Sequence, residues 1–398
     1  MNLLLSNFFI SLSTVGNNNN MNTYYNTRND WFTRTFGFIE GPYEYVRTKF
    51  RLEEDDTVLV SLGNGRKFHI GPFETPSLEQ LCHRIENSIN ENENDNNEER
   101  PSALTFEHIV GDVKKLHMNP KNAGAVFQAA SQFNCLEMVS ECVTPDCGIT
   151  CYENDRTQGP ICAMACSPGT IYRNYFVNQY GQGGEEGEQI DCLKEVGSIL
   201  GNDDGKYWKM RNGYALPYKS KSLRELAAKI ENDMQSAINA MGKLKVGVQW
   251  DTEVVVQQRT RAGSCTQSNH RVTQVYSSAI PIGYSRVGRE RDFQAFAQLV
   301  LNATYEATFA VAAIKALETN QSVDLYLTKV GGGVFRNSPD WIVEAIDRCL
   351  IKYKHFPLNV HLVHYGQLDR SYVKSERITD YFFSHDCNKK KRKKNVEY

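Results

Sequence analysis

A strand, a run of three glycines and a helix start between residues 323 and 353 constrain this chain more than any other stretch. Residues 323–330 (Val-Asp-Leu-Tyr-Leu-Thr-Lys-Val) alternate apolar and polar side chains, as a half-buried strand does. Gly331, Gly332 and Gly333 follow, then Val334, Phe335, Arg336 and Asn337. Ser338 is placed to cap a helix and Pro339 to occupy its first turn, ahead of an apolar-periodic run from Trp341. Glycines let backbone N–H groups come close to a ligand, and a helix start adds partial positive charge, so α/β proteins hold phosphates on such connections. The loop lacks the Lys-Ser/Thr of a P-loop, and Arg336 stands where a dinucleotide fingerprint needs its third glycine. Neither a P-loop ATPase nor a standard Rossmann dehydrogenase is supported. The competing reading is a tight connection whose glycines only turn the chain.

The rest of the pattern divides into five parts. Residues 1–27 read as a disordered leader. Residues 28–89 read as a β-rich N-terminal extension, with strands at 31–36, 45–50, 57–62 and 67–70, an Asn64-Gly65 hairpin turn and a helix over 77–89. Residues 90–103 form an acidic, Asn-rich linker that has nothing to bury. From 104 to 367 strands and helices alternate. Strands are expected at 104–110, 124–130, 244–256, 272–281, 323–330 and 358–365. Helices are expected at 188–200, 223–241, 293–317 and 341–353, with 208–215 an irregular strand or loop. The segment 257–270 reads as a long hairpin loop. Residues 368–398 form a tail. Mixed strands with covering helices predict an α/β core of three layers, α/β/α, around a mixed sheet.

Composition narrows the function classes. With 398 residues, 40% of them hydrophobic, the chain has ample material for a core. A net charge of -2 gives no strong nucleic-acid signal. Eleven cysteines without a Cys-x-x-Cys pair fit a reduced intracellular protein better than a disulfide framework, and no metal site is expected. No Lys or Arg precedes the apolar run in residues 3–12, so a signal peptide is not expected, and no later stretch is long enough to span a membrane. The basic run 389–394 reads either as a nuclear import signal or as a solvated tail, leaving cytoplasm and nucleus both open.

Three polar segments stand out from ordinary loops. The first, 122–134, places Gln128, Gln132 and Asn134 near the carboxyl end of a strand, where open α/β sheets bind ligands, with Glu137 just beyond. Amides there recognise a base, ribose or pyrophosphate, or else cap the strand end. The second, 152–176, holds Asp155 and Glu153, the candidate catalytic carboxylates for activating water. Thr157 and Gln158 in its loop join the candidate ligand-binding set. Arg173 and Asn174 are candidates to hold an anion, against the alternative of an internal salt bridge between Asp155 and Arg156 or Arg173. The third is the glycine loop, with Gly331, Gly332, Gly333, Val334, Phe335 and Asn337 as ligand-binding candidates. Cys135 and His364 are the best Cys–His pair, and a lone histidine at a strand end is more often structural.

The order of these segments resembles that of a macro domain. A strand ending in small and Asn/Gln residues comes first, then a Gly-containing loop before a helix. A Ser-Ala-Ile-Pro strand (278–281) and a helix follow, and then strand, glycine loop and helix over 316–365. More closely, 127–138, 155–176 and 327–342 resemble a macro-like protein family of bacteria and unicellular eukaryotes, over most of residues 31–367. The resemblance implies a macro-like α/β/α domain in which Gly331 to Phe335 cradle the diphosphate of ADP-ribose and the strand and loop at 126–134 lie near the distal ribose. It implies a nucleotide-type small molecule as partner and no cofactor. Two activities follow from it. One is hydrolysis of an ADP-ribose- or NAD-related ligand. The other is non-catalytic reading of such a ligand, or an interaction role.

Overall fold

The computed structural model describes residues 30–92, 103–255 and 270–373. The expectations for the leader, for most of the linker, for nearly all of the 257–270 loop and for the basic run lie outside these residues.

The extension begins with helices where strands were expected. Trp31, Phe32, Thr35 and Phe36 are buried, an i, i+1, i+4, i+5 spacing that suits a helix rather than a strand. Asp30 accepts the N–H of Thr33 at 2.7 Å, and Gly37, at φ 81°, ends the turn, giving α1 (Trp31–Phe36). A second helix, α2 (Tyr43–Thr48), takes most of the next expected strand. The remainder is β as expected: β1 (Phe50–Glu53), β2 (Val58–Ser61) and β3 (Lys67–His69) form an antiparallel sheet. Phe36, Phe50 and Phe68 pack edge-on beneath it. Glu40 pins this unit to the core. Its buried carboxylate accepts the N–H groups of Ile149 and Thr150 and the hydroxyl of Tyr175.

The core is a seven-stranded mixed sheet in the order β4 (Phe73–Glu74), β9 (Gly247–Glu253), β10 (Arg271–Ser277), β6 (Val126–Ala130), β11 (Val323–Leu327), β12 (Leu358–His364), β5 (Thr105–Val110). The five strands from β10 to β5 are mutually parallel, while β9 runs against them and β4 runs against β9. Parallel strands need cover on both faces, and β6 shows how it arises. Successive side chains point to opposite sides. Gln128 reaches Thr308 of α10 (Glu290–Thr319) at 3.1 Å, whereas the Phe127 ring stacks on His117 of α4 (Val113–Met118). On the α4 side also lie α5 (Gln158–Ala165) and α6 (Ser167–Tyr175), with Gln274 of β10 donating to the Cys162 carbonyl. On the α10 side α3 (Leu78–Asn92), α8 (Ser220–Asn232) and α11 (Pro339–Lys352) form a second tier. The three-layer α/β/α arrangement around a mixed sheet is therefore as expected, whereas residues 30–92 hold more helix than strand. The alanines of α10 let it approach the sheet closely, and each fully buried Val, Leu or Phe along it adds about 1.5–3 kcal/mol.

Two core elements differ from their expected form. The single helix over 223–241 is broken at Asp233, whose side chain accepts the Ser236 N–H at 3.0 Å and starts α9 (Met234–Lys243). Side-chain capping outcompetes continuation there. The irregular segment is a hairpin, β7 (Trp208–Arg211) and β8 (Tyr214–Pro217), turned by Asn212 and Gly213 at φ 49° and 75°. That two-residue Asn-Gly loop is the strongest short hairpin signal there is. The helix expected over 188–200 is only α7 (Lys194–Leu200).

Candidate functional site

Because five adjacent strands run parallel, their carboxyl ends and following loops gather along one edge of the sheet. The loop after β11 leaves several of its own polar groups unpaired among the described residues. Gly331 sits at φ 76°, and a Cβ on it would lie 2.6 Å from that of Ala279. A Cβ on Gly332 would meet the Tyr372 hydroxyl at 2.3 Å, while Gly333 faces open space. Gly332 donates to Lys329, Arg336 to Gly333 and Asn337 to Gly331. The N–H groups of Gly331, Gly333, Val334 and Phe335 donate to nothing among the described residues. Gly333 and Val334 are exposed. Asn337 is buried, and its amide nitrogen holds the Ile280 carbonyl at 2.9 Å. Its Oδ1 has no partner among the described residues, as is also true of Gln132 Oε1, Arg173 Nη1 and Asn174 Oδ1. Pro339 opens α11 as expected, and Ser338 has the extended backbone of a cap but makes no capping bond through its side chain.

An aromatic group joins this loop to the stretch that follows the first segment. Phe335 packs against Tyr214 and Tyr284, each 5.6 Å away between ring centres. Tyr214 donates to the Met138 carbonyl and Tyr284 to that of Val139. Burial holds both phenols above their ordinary pKa, and for Tyr214 the neighbouring Tyr284 adds to the rise. Asp155 follows the short 3-10 turn Thr150–Asn154 as its C-cap. It is half-buried, and its Oδ1 accepts the Thr157 N–H at 2.8 Å. Glu153 is exposed and accepts the N–H of Trp31 at 3.3 Å, which ties it to the extension. Gln132 is buried with its Oε1 unpartnered, beside Gly213 of the hairpin tip.

Most of the remaining sequence-derived candidates have internal partners, although Arg173 Nη1 and Asn174 Oδ1 have none among the described residues. Gln128 bonds Thr308 and accepts the Thr328 N–H. Gln158 clamps the outer edge of β6, accepting from Ala130 and donating to the Gln128 carbonyl at 2.7 Å, just past the point where β11 stops pairing. Thr157 precedes α5, exposed and without a side-chain capping bond. Asn134 bonds Gln189 and the Leu136 N–H. Asn174 donates to the Pro145 carbonyl. Arg173 is fully buried. It donates to the Cys135 carbonyl at 2.9 Å, pairs with Glu137 at 3.4 Å, and lies 3.5 Å from the centre of the Tyr276 ring. Its salt bridge is internal, but to Glu137 rather than Asp155. Burial pushes Glu137 up to about 7, with the Arg173 charge acting against that rise. Cys135 and His364 do not meet: Cys135 faces Cys192 at 3.7 Å, and His364 bonds His108 at 2.9 Å.

Tyr214, Tyr284 and the orphaned Asn337 oxygen complete the neighbourhood that the sequence only outlined. The Asn212-Gly213 dipeptide was the available signal for the hairpin that brings Tyr214 in. Elsewhere, a groove of about 600 Å³ runs between α3, α9, α10 and α11, lined among others by Cys82, Ile238, Met241 and Glu306. It includes none of the candidate residues, and Glu306 within it is already bound by Arg348 and Lys352.

No protein-family model matches the chain, and no curated protein is similar to it in sequence. Among solved structures it is similar to poly(ADP-ribose) glycohydrolase from Deinococcus radiodurans in complex with ADP-ribose, at 10% identity, over 78% of this chain and 94% of that one, with a TM-score of 0.38. It is also similar to the Thermomonospora curvata glycohydrolase, at 11% identity, 81% and 89% coverage and a TM-score of 0.35. The form of that enzyme bound to the inhibitor ADP-HPD gives 10% identity, 83% and 95% coverage and a TM-score of 0.37. A likeness this remote assigns no role to any residue. No helix among the described residues is long and apolar enough to cross a membrane.

Proposed function

We propose that the protein is macro-like and binds a nucleotide derivative of the ADP-ribose or NAD class over the carboxyl edge of its sheet. The observation that carries this reading is the set of unpartnered N–H groups at Gly331, Gly333, Val334 and Phe335, on a partly exposed loop leading into α11. Successive free backbone donors with a helix start behind them suit a diphosphate. The free Oδ1 of Asn337 and Oε1 of Gln132 supply acceptors for ribose hydroxyls or a base amine. Gln128, Asn134, Arg173 and Asn174 hold the loops in place beneath the ligand. Thr157 and Gln158 shape the cleft wall beside β6.

In the catalytic form of this proposal, Asp155 positions and activates water against the ribosyl or pyrophosphate linkage, with Glu153 the alternate carboxylate. Such hydrolysis rests mainly on orientation and on electrostatic stabilisation, which backbone donors provide. One observation favours a non-catalytic reader instead: one oxygen of Asp155 is already engaged by Thr157 N–H, and Glu153 is engaged by Trp31.

Calorimetry against ADP-ribose, ADP and NAD tests the binding. Heat with a 1:1 stoichiometry is expected for at least one of them, and none at millimolar ligand sinks the proposal. Product analysis then separates the two forms. Turnover that falls at least a hundredfold in Asp155→Asn, with binding retained, identifies the hydrolase. Binding without turnover identifies the reader.

A further inference from the structure

The net charge of -2 conceals a marked local asymmetry. Residues 206–224 carry six Lys and Arg and no Asp or Glu. They form the β7–β8 hairpin and the start of α8, which lie beside the glycine loop. The connections are direct. The Gly288 N–H donates to Ser220 at the head of α8. The Gly283 N–H donates to the Phe335 carbonyl, and a Cβ on Gly283 would touch the Arg336 side chain. The short stretch 286–291 adds Arg286, Arg289 and Arg291 against a single Glu290. Little of this charge is neutralised. Lys206 and Lys221 share Glu225 at 3.4 and 3.9 Å, and Arg224 reaches Asp292 only at 3.9 Å. Lys209, Lys219, Arg289 and Arg336 are exposed, with no carboxylate in ion-pair range among the described residues.

An aromatic ring sits inside the ribbon. Tyr218 is 40% exposed, and Lys209 and Lys219 approach it at 5.5 and 5.3 Å from the ring centre. A bare cationic face attracts any polyanion, but an exposed ring flanked by two cations matches a strand that alternates phosphates with unstacked bases. We infer that this ribbon, from the β7–β8 hairpin across the 285–291 loop to Arg336, is a binding surface for single-stranded nucleic acid. It runs up to the glycine loop but does not depend on a ligand there. A base stacks on Tyr218, Lys209 and Lys219 take the flanking phosphates, and Arg289 and Arg336 carry the backbone towards the sheet edge. An acidic protein or an anionic lipid surface engages the charges without using the ring.

Fluorescence anisotropy of the full-length protein with a labelled 12-nucleotide single strand at 50 mM KCl reads this directly. Run as DNA and as RNA, it also reports which sugar is preferred. Micromolar binding is expected. With about four phosphates neutralised, affinity falls roughly 50-fold on going to 200 mM salt. The triple substitution Lys209→Glu, Lys219→Glu, Arg289→Glu weakens it at least tenfold. Tyr218→Ala weakens the oligonucleotide roughly tenfold while leaving heparin, a polyanion without bases, unchanged. All four sites are exposed, so thermal unfolding of the variants should match the parent. No anisotropy change at 50 μM protein overturns the inference. So does binding insensitive to the triple substitution, or an equal effect of Tyr218→Ala on heparin, which would leave only a polyanion or lipid surface. ADP-ribose calorimetry on the same sample keeps the two proposals apart, since either can fail while the other holds.

Discussion

The glycine loop and the Arg173 pocket are both polar clusters built at the sheet's carboxyl edge, and they are finished in opposite ways. Around Arg173 the guanidinium packs on the Glu137 carboxylate, the Tyr276 ring and the Cys135 carbonyl out of reach of solvent, although its Nη1 has no hydrogen-bond partner among the described residues. In the glycine loop four N–H groups and the Asn337 oxygen are left unpaired, and part of the loop is exposed. The first cluster is closed chemistry that fixes geometry. The second is open chemistry that awaits a partner. Residue type alone does not separate them: an arginine beside an asparagine looks more like an anion site than three glycines do.

The strongest way to break this comparison is to remove one half of the closed cluster. Arg173→Ala leaves Glu137 buried and alone, which should cost about 3–5 kcal/mol of folding stability. Arg173→Met with Glu137→Leu should recover much of that loss, because an apolar pair of similar bulk needs no desolvation. Urea unfolding measures both. If the single variant is as stable as the parent but loses nucleotide binding, Arg173 belongs to the open class.

A second closed group gives a pH signature. Burial holds His117 down to about 4, where it stacks on Phe127 and bonds the Val113 carbonyl and Gln274. Its folded pKa lies below the unfolded value of about 6.5, so the unfolded chain binds the proton first. Its stabilising contribution is complete above 6.5 and is lost as pH falls towards 4, by about 1.4 kcal/mol per pH unit at most. Glu137, raised to about 7, has the opposite sign: its contribution is complete below the unfolded value near 4.5 and lost as pH rises towards 7. The stability difference between the parent and His117→Phe should therefore grow from pH 4.5 to 6.5 and level off above. A difference constant across that range would show that His117 titrates normally.

On the open side, Gly333→Asp sets a carboxylate where a diphosphate is proposed to bind. Nothing lies within 4 Å of the added Cβ, so folding should be unaffected. Affinity for ADP-ribose should drop by about one to two orders of magnitude, or about 1.4–2.8 kcal/mol. Unchanged affinity would move the ligand off the loop.

How far the sequence reaches follows the same division. The core strands, the long α10 and the Gly331–Pro339 connection depend on local periodicity and turn chemistry, and they were readable, whereas which strands run parallel was not. The closure of Arg173 depends on Glu137, 36 residues earlier, and on a ring in β10, which no local pattern reveals. The aromatic start of the extension was misread for a related reason. Trp31, Phe32 and Phe36 favour strands by propensity, but the Asp30 cap and burial on one helical face decide otherwise. The Asn212-Gly213 turn that carries Tyr214 to the site has a local signal, but the reading of 208–215 as an irregular strand or loop missed the hairpin.

The finest version of the comparison lies within the loop itself. Gly331 and Gly333 are two residues apart and look interchangeable in the sequence. Gly331 holds a left-handed φ and has the Ala279 and Asn337 side chains packed against the place a Cβ would take. Gly333 has neither constraint. Gly331→Ala should therefore destabilise the fold through strain and crowding. Gly333→Ala should be neutral or stabilising by up to about 1 kcal/mol, since it only narrows the unfolded ensemble. The N–H of residue 333 survives in the alanine variant, so nucleotide affinity should stay within about threefold of the parent, against the orders of magnitude expected for Gly333→Asp. Thermal unfolding and calorimetry on the three variants decide it. If Gly333→Ala costs as much stability as Gly331→Ala, then Gly333 is a structural glycine like its neighbour, and the open half of the loop is smaller than its unpaired donors indicate.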